Sequence, residues 1–158
     1  MKIIDIVQED FLQYKLPSMF ILFPYCTMKC EKDCGKQCCQ NRDLLAFAYK
    51  PDVSTSEIVS WYVKNDITKA IVLGGLEPFD SFNDVKNLIT EFRKITLDDI
   101  VIYSGYKEDE ITKQVEELKE YPNIIIKFGR YVPNEKPHLD DLLGVYLSSN
   151  NQYAKKIS

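Results

Sequence analysis

Outside residues 26–39 this 158-residue chain has no cysteine, and elsewhere it carries a single histidine, His138, and a single tryptophan, Trp61. His138 lies between two loop prolines and reads as a surface residue, while Trp61 reads as packing. An excess of positive charge is also missing. Twenty Lys and Arg against 24 Asp and Glu leave a net charge of -4, which gives nucleic acid or an anionic membrane no electrostatic hold. Long apolar runs are absent too. Met19–Phe23 is far too short to span a bilayer, and Asp5, Glu9 and Asp10 interrupt the opening stretch where a secretion signal would be apolar. The expected compartment is therefore the reducing cytoplasm, where structural disulfides are uncommon. With no linker, repeat or low-complexity segment, residues 1–158 read as one domain.

What is present is concentrated. Residues 24–41 read PYCTMKCEKDCGKQCCQN and hold all five cysteines: Cys26, Cys30, Cys34, Cys38 and Cys39. Thiols packed so densely do not read as small buried hydrophobes, and an odd number fits a framework of paired disulfides badly. A metal or iron–sulfur site is the better reading. Structural zinc usually takes four ligands in paired C-x2-C hooks, and no such hook occurs. Lys29, Lys32 and Lys36 stand among the thiols, either lowering their pKa values or simply forming a solvated face.

Around this stretch the chain alternates strand and helix. Ile3, Ile4 and Ile6 read as a short strand. Met19–Phe23, Lys69–Leu73, Asp99–Tyr103 and Asn123–Phe128 are apolar runs of the kind found in strands buried on both faces. Ser54-x-x-Glu57 is a capping box ahead of Ile58, Val59, Tyr62 and Val63. Ser81 reads as the cap of a helix carrying Phe82, Val85, Leu88, Ile89 and Phe92, and a third helix carries Ile111, Val115 and Leu118. Residues 42–52 are apolar without a clear period. Beyond Gly129 the chain reads as loop, with one short edge strand over 144–147. This order predicts an α/β fold: a partial (β/α) barrel or curved, mostly parallel sheet with flanking helices. The chain is too short for a full eight-unit barrel of ~250 residues. Cys26–Asn41, Gly74–Phe79, Ser104–Tyr106 and Gly129–Val132 would meet at the carboxyl ends of the strands, where such sheets place their sites.

Cys26-x3-Cys30 after the first core strand, and Gly74-Gly75-Leu76-Glu77-Pro78 after the second, resemble the cluster loop and the GGEP motif of the radical S-adenosylmethionine (SAM) enzymes. Val101-Ile102-Tyr103-Ser104-Gly105-Tyr106, Phe128-Gly129-Arg130-Tyr131-Val132 and Leu147-Ser148-Ser149-Asn150-Asn151-Gln152 resemble the activating protein of anaerobic ribonucleotide reductase. The likeness runs from about Phe20 to Gln152. It implies a [4Fe-4S] cluster held by three thiolates, with SAM completing the fourth iron. An electron from a donor such as flavodoxin or ferredoxin would cleave SAM, and a hydrogen atom would be taken from a glycine of the large reductase subunit. The resemblance puts Cys26 and Cys30 among the ligands, and Cys39-Gln40-Asn41 resembles the family's third cysteine with its following Asn. Cys34 and Cys38 stay open as alternatives, because position 33, where the usual C-x3-C-x2-C would put a thiol, is Asp. Gly74, Gly75, Glu77 and Ser104 are the implied SAM contacts, with Leu76 an extra residue relative to GGEP. Three other readings remain: an activase of another glycyl-radical enzyme, a small-molecule radical SAM enzyme, and a non-catalytic zinc or iron–sulfur module.

Overall fold

The computed structural model describes residues 1–47 and 51–158. Eight strands and four α-helices follow one another in the order β1 (Asp5–Asp10), β2 (Ser18–Phe23), α1 (Lys29–Cys34), α2 (Thr55–Val63), β3 (Ala70–Gly75), α3 (Phe82–Arg93), β4 (Asp99–Tyr103), α4 (Thr112–Leu118), β5 (Ile124–Phe128), β6 (His138–Asp140), β7 (Val145–Leu147) and β8 (Tyr153–Lys156). Six strands make one sheet in the order β1-β2-β3-β4-β5-β8. The four central strands are parallel, and β1 and β8 run antiparallel at the two edges. Since β1 and β8 do not pair, the barrel is not closed.

The parallel core follows from composition. β3 (AIVLGG), β4 (DIVIY) and β5 (IIIKF) are branched and apolar on both faces, so neither face tolerates water. One face meets the helices. Ile58 and Tyr62 of α2, Val85, Leu88, Ile89 and Phe92 of α3, and Val115 and Leu118 of α4 pack there against Ile21, Leu73, Ile100 and Ile126. The Ser54–Glu57 capping box forms as the spacing predicts. Val63, however, is exposed, and the buried stripe of α2 is carried by Ile58 and Tyr62. Ser81 makes no cap hydrogen bond; a 3₁₀ turn over Pro78–Ser81 leads into α3, and the Glu77 side chain caps that turn by accepting from Phe79 N–H.

The opposite face has a thinner cover. Tyr14, Leu143 and Leu147 close it over Ala70, Val72, Val101 and Ile125, and among the described residues no α-helix contributes to this cluster. The tail is more ordered than its sequence suggests. β6 and β7 form a separate two-stranded hairpin, and β8 joins the main sheet beside β5. His138 is half-buried in β6 rather than on a surface loop. Residues 42–46 make a 3₁₀ turn; the rest of the apolar segment at 48–50 lies outside the described residues. Trp61 packs at the edge of the core.

Candidate metal centre

A cleft of about 520 Å³ opens at the carboxyl ends of the parallel strands. Its walls bring together Cys26, Cys30 and Cys39 with Gly75, Leu76 and Glu77 after β3, Ser104 and Gly105 after β4, and Lys127, Gly129 and Arg130 around the end of β5. The loops expected to meet at this lip do meet. Cys34 and Cys38 are not part of the wall; their sulfurs lie 2.6 Å from each other instead. Gly74 is also off the wall.

The cysteine segment is tied at three points, two at the exit of β3 and one just past the end of β5. Thr27 N–H and Tyr106 O–H each donate to Asp80 at 2.6 Å, linking the loop to the exits of β3 and β4. Asn41 Nδ2 donates to Gly75 O at 2.6 Å. Arg130 forms the third tie: its Nη2 donates to Glu110 Oε1 at 2.7 Å, and its Nε lies 3.0 Å from Asp33 Oδ2. Asp33, at the place where the usual spacing would have a thiol, thus serves as an anchor. Lys29 extends this belt, with its ammonium 3.4 Å from Glu110 and 4.7 Å from the centre of the Tyr106 ring. No lysine is among the groups that shift Cys26 and Cys30. Burial pushes Cys26 up to about 11, and burial followed by the neighbouring Cys39 thiol raises Cys30. A bound cation would reverse that trend, because a coordinating thiol is deprotonated outright.

Glu77 is the least exposed carboxylate at the cleft. Its oxygens accept from Ser104 Oγ at 2.9 Å, Phe79 N–H at 3.1 Å and Gly105 N–H at 2.8 Å. Burial nevertheless outweighs these donors and pushes its carboxyl up to about 7. Ser104 Oγ in turn accepts from Tyr106 N–H at 2.9 Å. These two residues brace the β3 and β4 exits against each other as well as facing the cleft.

The glycine pair has an internal cause. A Cβ on Gly75, whose φ is +83°, would stand 2.9 Å from Leu22 Cα and 3.1 Å from Phe23 N, in the backbone of β2. On Gly74 it would stand 2.9 Å from the Phe20 ring. Close approach of neighbouring strands, rather than of a ligand, demands glycine at 75.

Lys127 on the cleft wall and Asp80 beside the thiol loop were not singled out from sequence. Lys127, 7% exposed, donates to Ser104 O at 3.3 Å and Gly129 O at 2.9 Å, and burial lowers its ammonium to about 8 against the opposing pull of Glu77. The signal for it was a lysine inside an otherwise apolar strand. Asp80 carried no signal, being one acidic residue after a turn. The Asn-Gln tail is structural: Asn151 Nδ2 donates to Arg130 O at 2.8 Å and Gln152 Nε2 to Gly129 O at 3.2 Å, holding the β5 exit in place.

The model for the family described as a 4Fe-4S single cluster domain matches residues 18–153. The chain belongs to this family. No curated protein and no solved structure matches the chain. The single-cluster assignment agrees with the donor set. Soft thiolates suit iron–sulfur ligation, and three of them share one cleft. Among the described residues, no three His, Cys, Asp or Glu side chains converge closely enough to grip one ion. Among the same residues, no helix is long and apolar enough to cross a membrane.

Proposed function

We propose that this single-cluster domain is a radical SAM activase that generates the glycyl radical of anaerobic ribonucleotide reductase. Cys26, Cys30 and Cys39 hold the [4Fe-4S] cluster in this reading, and Gly75, Glu77 and Ser104 line the adjoining SAM site. Gly74 lies off the wall, and its missing side chain makes room for Phe20 and Tyr103, which do line the cleft. The observation that carries the proposal is the division of the thiols: three share the cleft with the glycine turn, and the other two face each other outside it.

In this reading Cys26, Cys30 and Cys39 would hold the cluster and leave one of its irons open to SAM. Bound there, the cluster would supply the electron that splits the carbon–sulfur bond of SAM, so that a hydrogen atom can be taken from a glycine of the partner subunit. The chain's own residues set the stage for this. Asn41, Thr27 and Asp33 fix the thiol loop to the sheet ends. Lys127 presents a buried ammonium to the cleft, where it can face an anionic group of the ligand. Glu77 holds Gly105 N–H and Ser104 Oγ, which keeps the β4 exit open beside the glycine turn. A cleft of this size, nearly filled by cluster and SAM, suits a macromolecular substrate that inserts one loop. A one-electron protein donor of the flavodoxin or ferredoxin class completes the proposal.

Anaerobic reconstitution tests it. The expected result is about four irons and four sulfides per chain, 5′-deoxyadenosine on reduction with SAM, and a glycyl-radical resonance only when the reductase subunit is present. Serine at 26, 30 or 39 should abolish iron binding, while serine at 34 should not. A loaded cluster with no SAM cleavage would reduce the chain to a cluster-binding module. Cleavage without the reductase resonance would point to another substrate.

A further inference from the structure

Five thiols crowd the loop, and the cluster reading uses three. We infer that the remaining two, Cys34 and Cys38, form a thiol–disulfide redox site of their own, oxidised by exchange with a low-molecular-weight disulfide. The inference rests on the assignment of Cys26, Cys30 and Cys39 to the cluster.

The geometry is already close to that of a bond. The Sγ–Sγ separation is 2.6 Å, and a disulfide needs about 2.05 Å, so roughly half an ångström of closure suffices. Both sulfurs are held in place. Cys34 Sγ lies 3.1 Å from Lys36 O, and Cys38 Sγ lies 3.5 Å from Cys30 O. Both residues are half-buried and outside the cleft, so a small reagent can reach them without entering the metal site.

The turn between them offers no resistance. α1 ends at Gly35 in the left-handed region, φ +66°, and nothing stands within 4 Å of a Cβ placed there. The two arms of the turn are also stapled behind the sulfurs. Arg42 Nη1 lies 2.7 and 2.6 Å from the two Glu31 oxygens, and Cys39 N–H donates to Glu31 Oε1 at 3.4 Å. Closing the bond therefore joins two arms that already run side by side. One arm carries Cys30 and the other carries Cys39, so the bridge fixes the spacing of two cleft thiols.

The exchange balances without further reactants. The sulfur of one cysteine attacks the reagent disulfide and expels one thiol. The second cysteine then displaces the other half as a second thiol. The protein loses two hydrogens and two electrons in forming its bond, and the reagent gains both as its own bond is cleaved.

The test uses anaerobically purified, iron-loaded protein incubated with oxidised glutathione, blocked with iodoacetamide and mapped by peptide mass, with iron measured in parallel. The Cys34–Cys38 peptide should lose the mass of two hydrogens about tenfold faster than any peptide pair involving Cys26, Cys30 or Cys39 forms a bond. Iron should be retained. In Cys38→Ser, Cys34 should keep a glutathione adduct, because the displacing thiol is gone, and iron content should match the parent. Alkylated Cys34 and Cys38 alongside oxidised cleft thiols would overturn the inference, as would loss of iron in Cys38→Ser, which would make Cys38 a ligand. If the protein carries no iron at all, the cluster reading falls, while the peptide map still decides whether the pair closes.

Discussion

Alanine at Gly75 should cost this protein far more than alanine at its neighbour Gly74, and the contrast can be worked from geometry. At Gly75 two penalties combine. The backbone sits at φ +83°, where an L side chain costs about 1–2 kcal/mol. The new methyl would also stand 2.9 Å from Leu22 Cα and 3.0 Å from Leu22 Cβ. These belong to the body of a central strand paired through its whole length with β3, so they cannot swing aside. Overpacking of this kind typically adds 1–3 kcal/mol. A total of about 3 kcal/mol corresponds to a fall in Tm of roughly 6–12 °C for a chain of this size. At Gly74 the obstruction is Phe20 Cε2, the far end of a rotatable ring, and no positive φ applies. That substitution should cost less than about 1.5 kcal/mol. Gly105 provides the control: its nearest contact would be Glu77 Oε2 at 3.5 Å, and its alanine variant should stay within about 0.5 kcal/mol of the parent. Thermal unfolding of the three metal-free variants, followed by circular dichroism, gives the ranking. If Gly75→Ala melts beside the parent, or Gly74→Ala falls further than it, the explanation through β2 is wrong.

Burial raises the Glu77 carboxyl from 4.5 to about 7, so the folded state holds this proton more tightly than the unfolded chain. The stabilisation is full below pH 4.5 and is lost as the pH rises through about 7, a fall of about 3 kcal/mol. Denaturant midpoints across that window should show this slope in the parent and lack it in Glu77→Gln; equal slopes would refute the assignment to Glu77. Ser104→Ala removes the donor to Glu77 Oε1 and the acceptor for Tyr106 N–H, and a loss of about 1–2 kcal/mol is expected by urea unfolding. Arg130→Met frees Glu110 from the cation that holds its carboxyl down to about 2. It should cost about 1–3 kcal/mol and make α1 more susceptible to proteolysis; an unchanged digestion rate would mean the Asp33 contact anchors nothing.

The parallel core was legible because β2, β3, β4 and β5 are apolar on both faces, and few other elements need such runs. The helices were legible wherever the apolar period was carried by several residues, as in α3. β8 was not, since Tyr153-Ala154-Lys155-Lys156 is an edge strand with half its groups in water, and polar tails of that composition are usually loops. Ser81 misled because a serine before an apolar period looks like a cap, while the turn it sits in is satisfied by Glu77. At the site, the cysteine loop and the glycine turn stood out by residue type and by position after strands. The division among the thiols rested on the resemblance around Cys39-Gln40-Asn41, and the structure places Cys39 on the cleft wall. Tyr106 and Arg130 stood out within their motifs, but the belt they form with Asp33, Asp80 and Glu110 did not, because those three acidic residues lie far apart in sequence until the fold brings them together.

The three ties from the thiol loop to the exits of β3 and β5 bear on the order in which the protein's parts come together. Thr27 and Asn41 find their partners at the exit of β3 and Asp33 finds Arg130 beyond β5, and Arg130 is itself held by Asn151. The receptacle for the thiols is therefore built by the ends of the sheet, far along the chain from the cysteines themselves. In contrast to a zinc finger, where metal uptake is the folding event, the thiol loop here takes its position from two hydrogen bonds and an ion pair to the sheet ends.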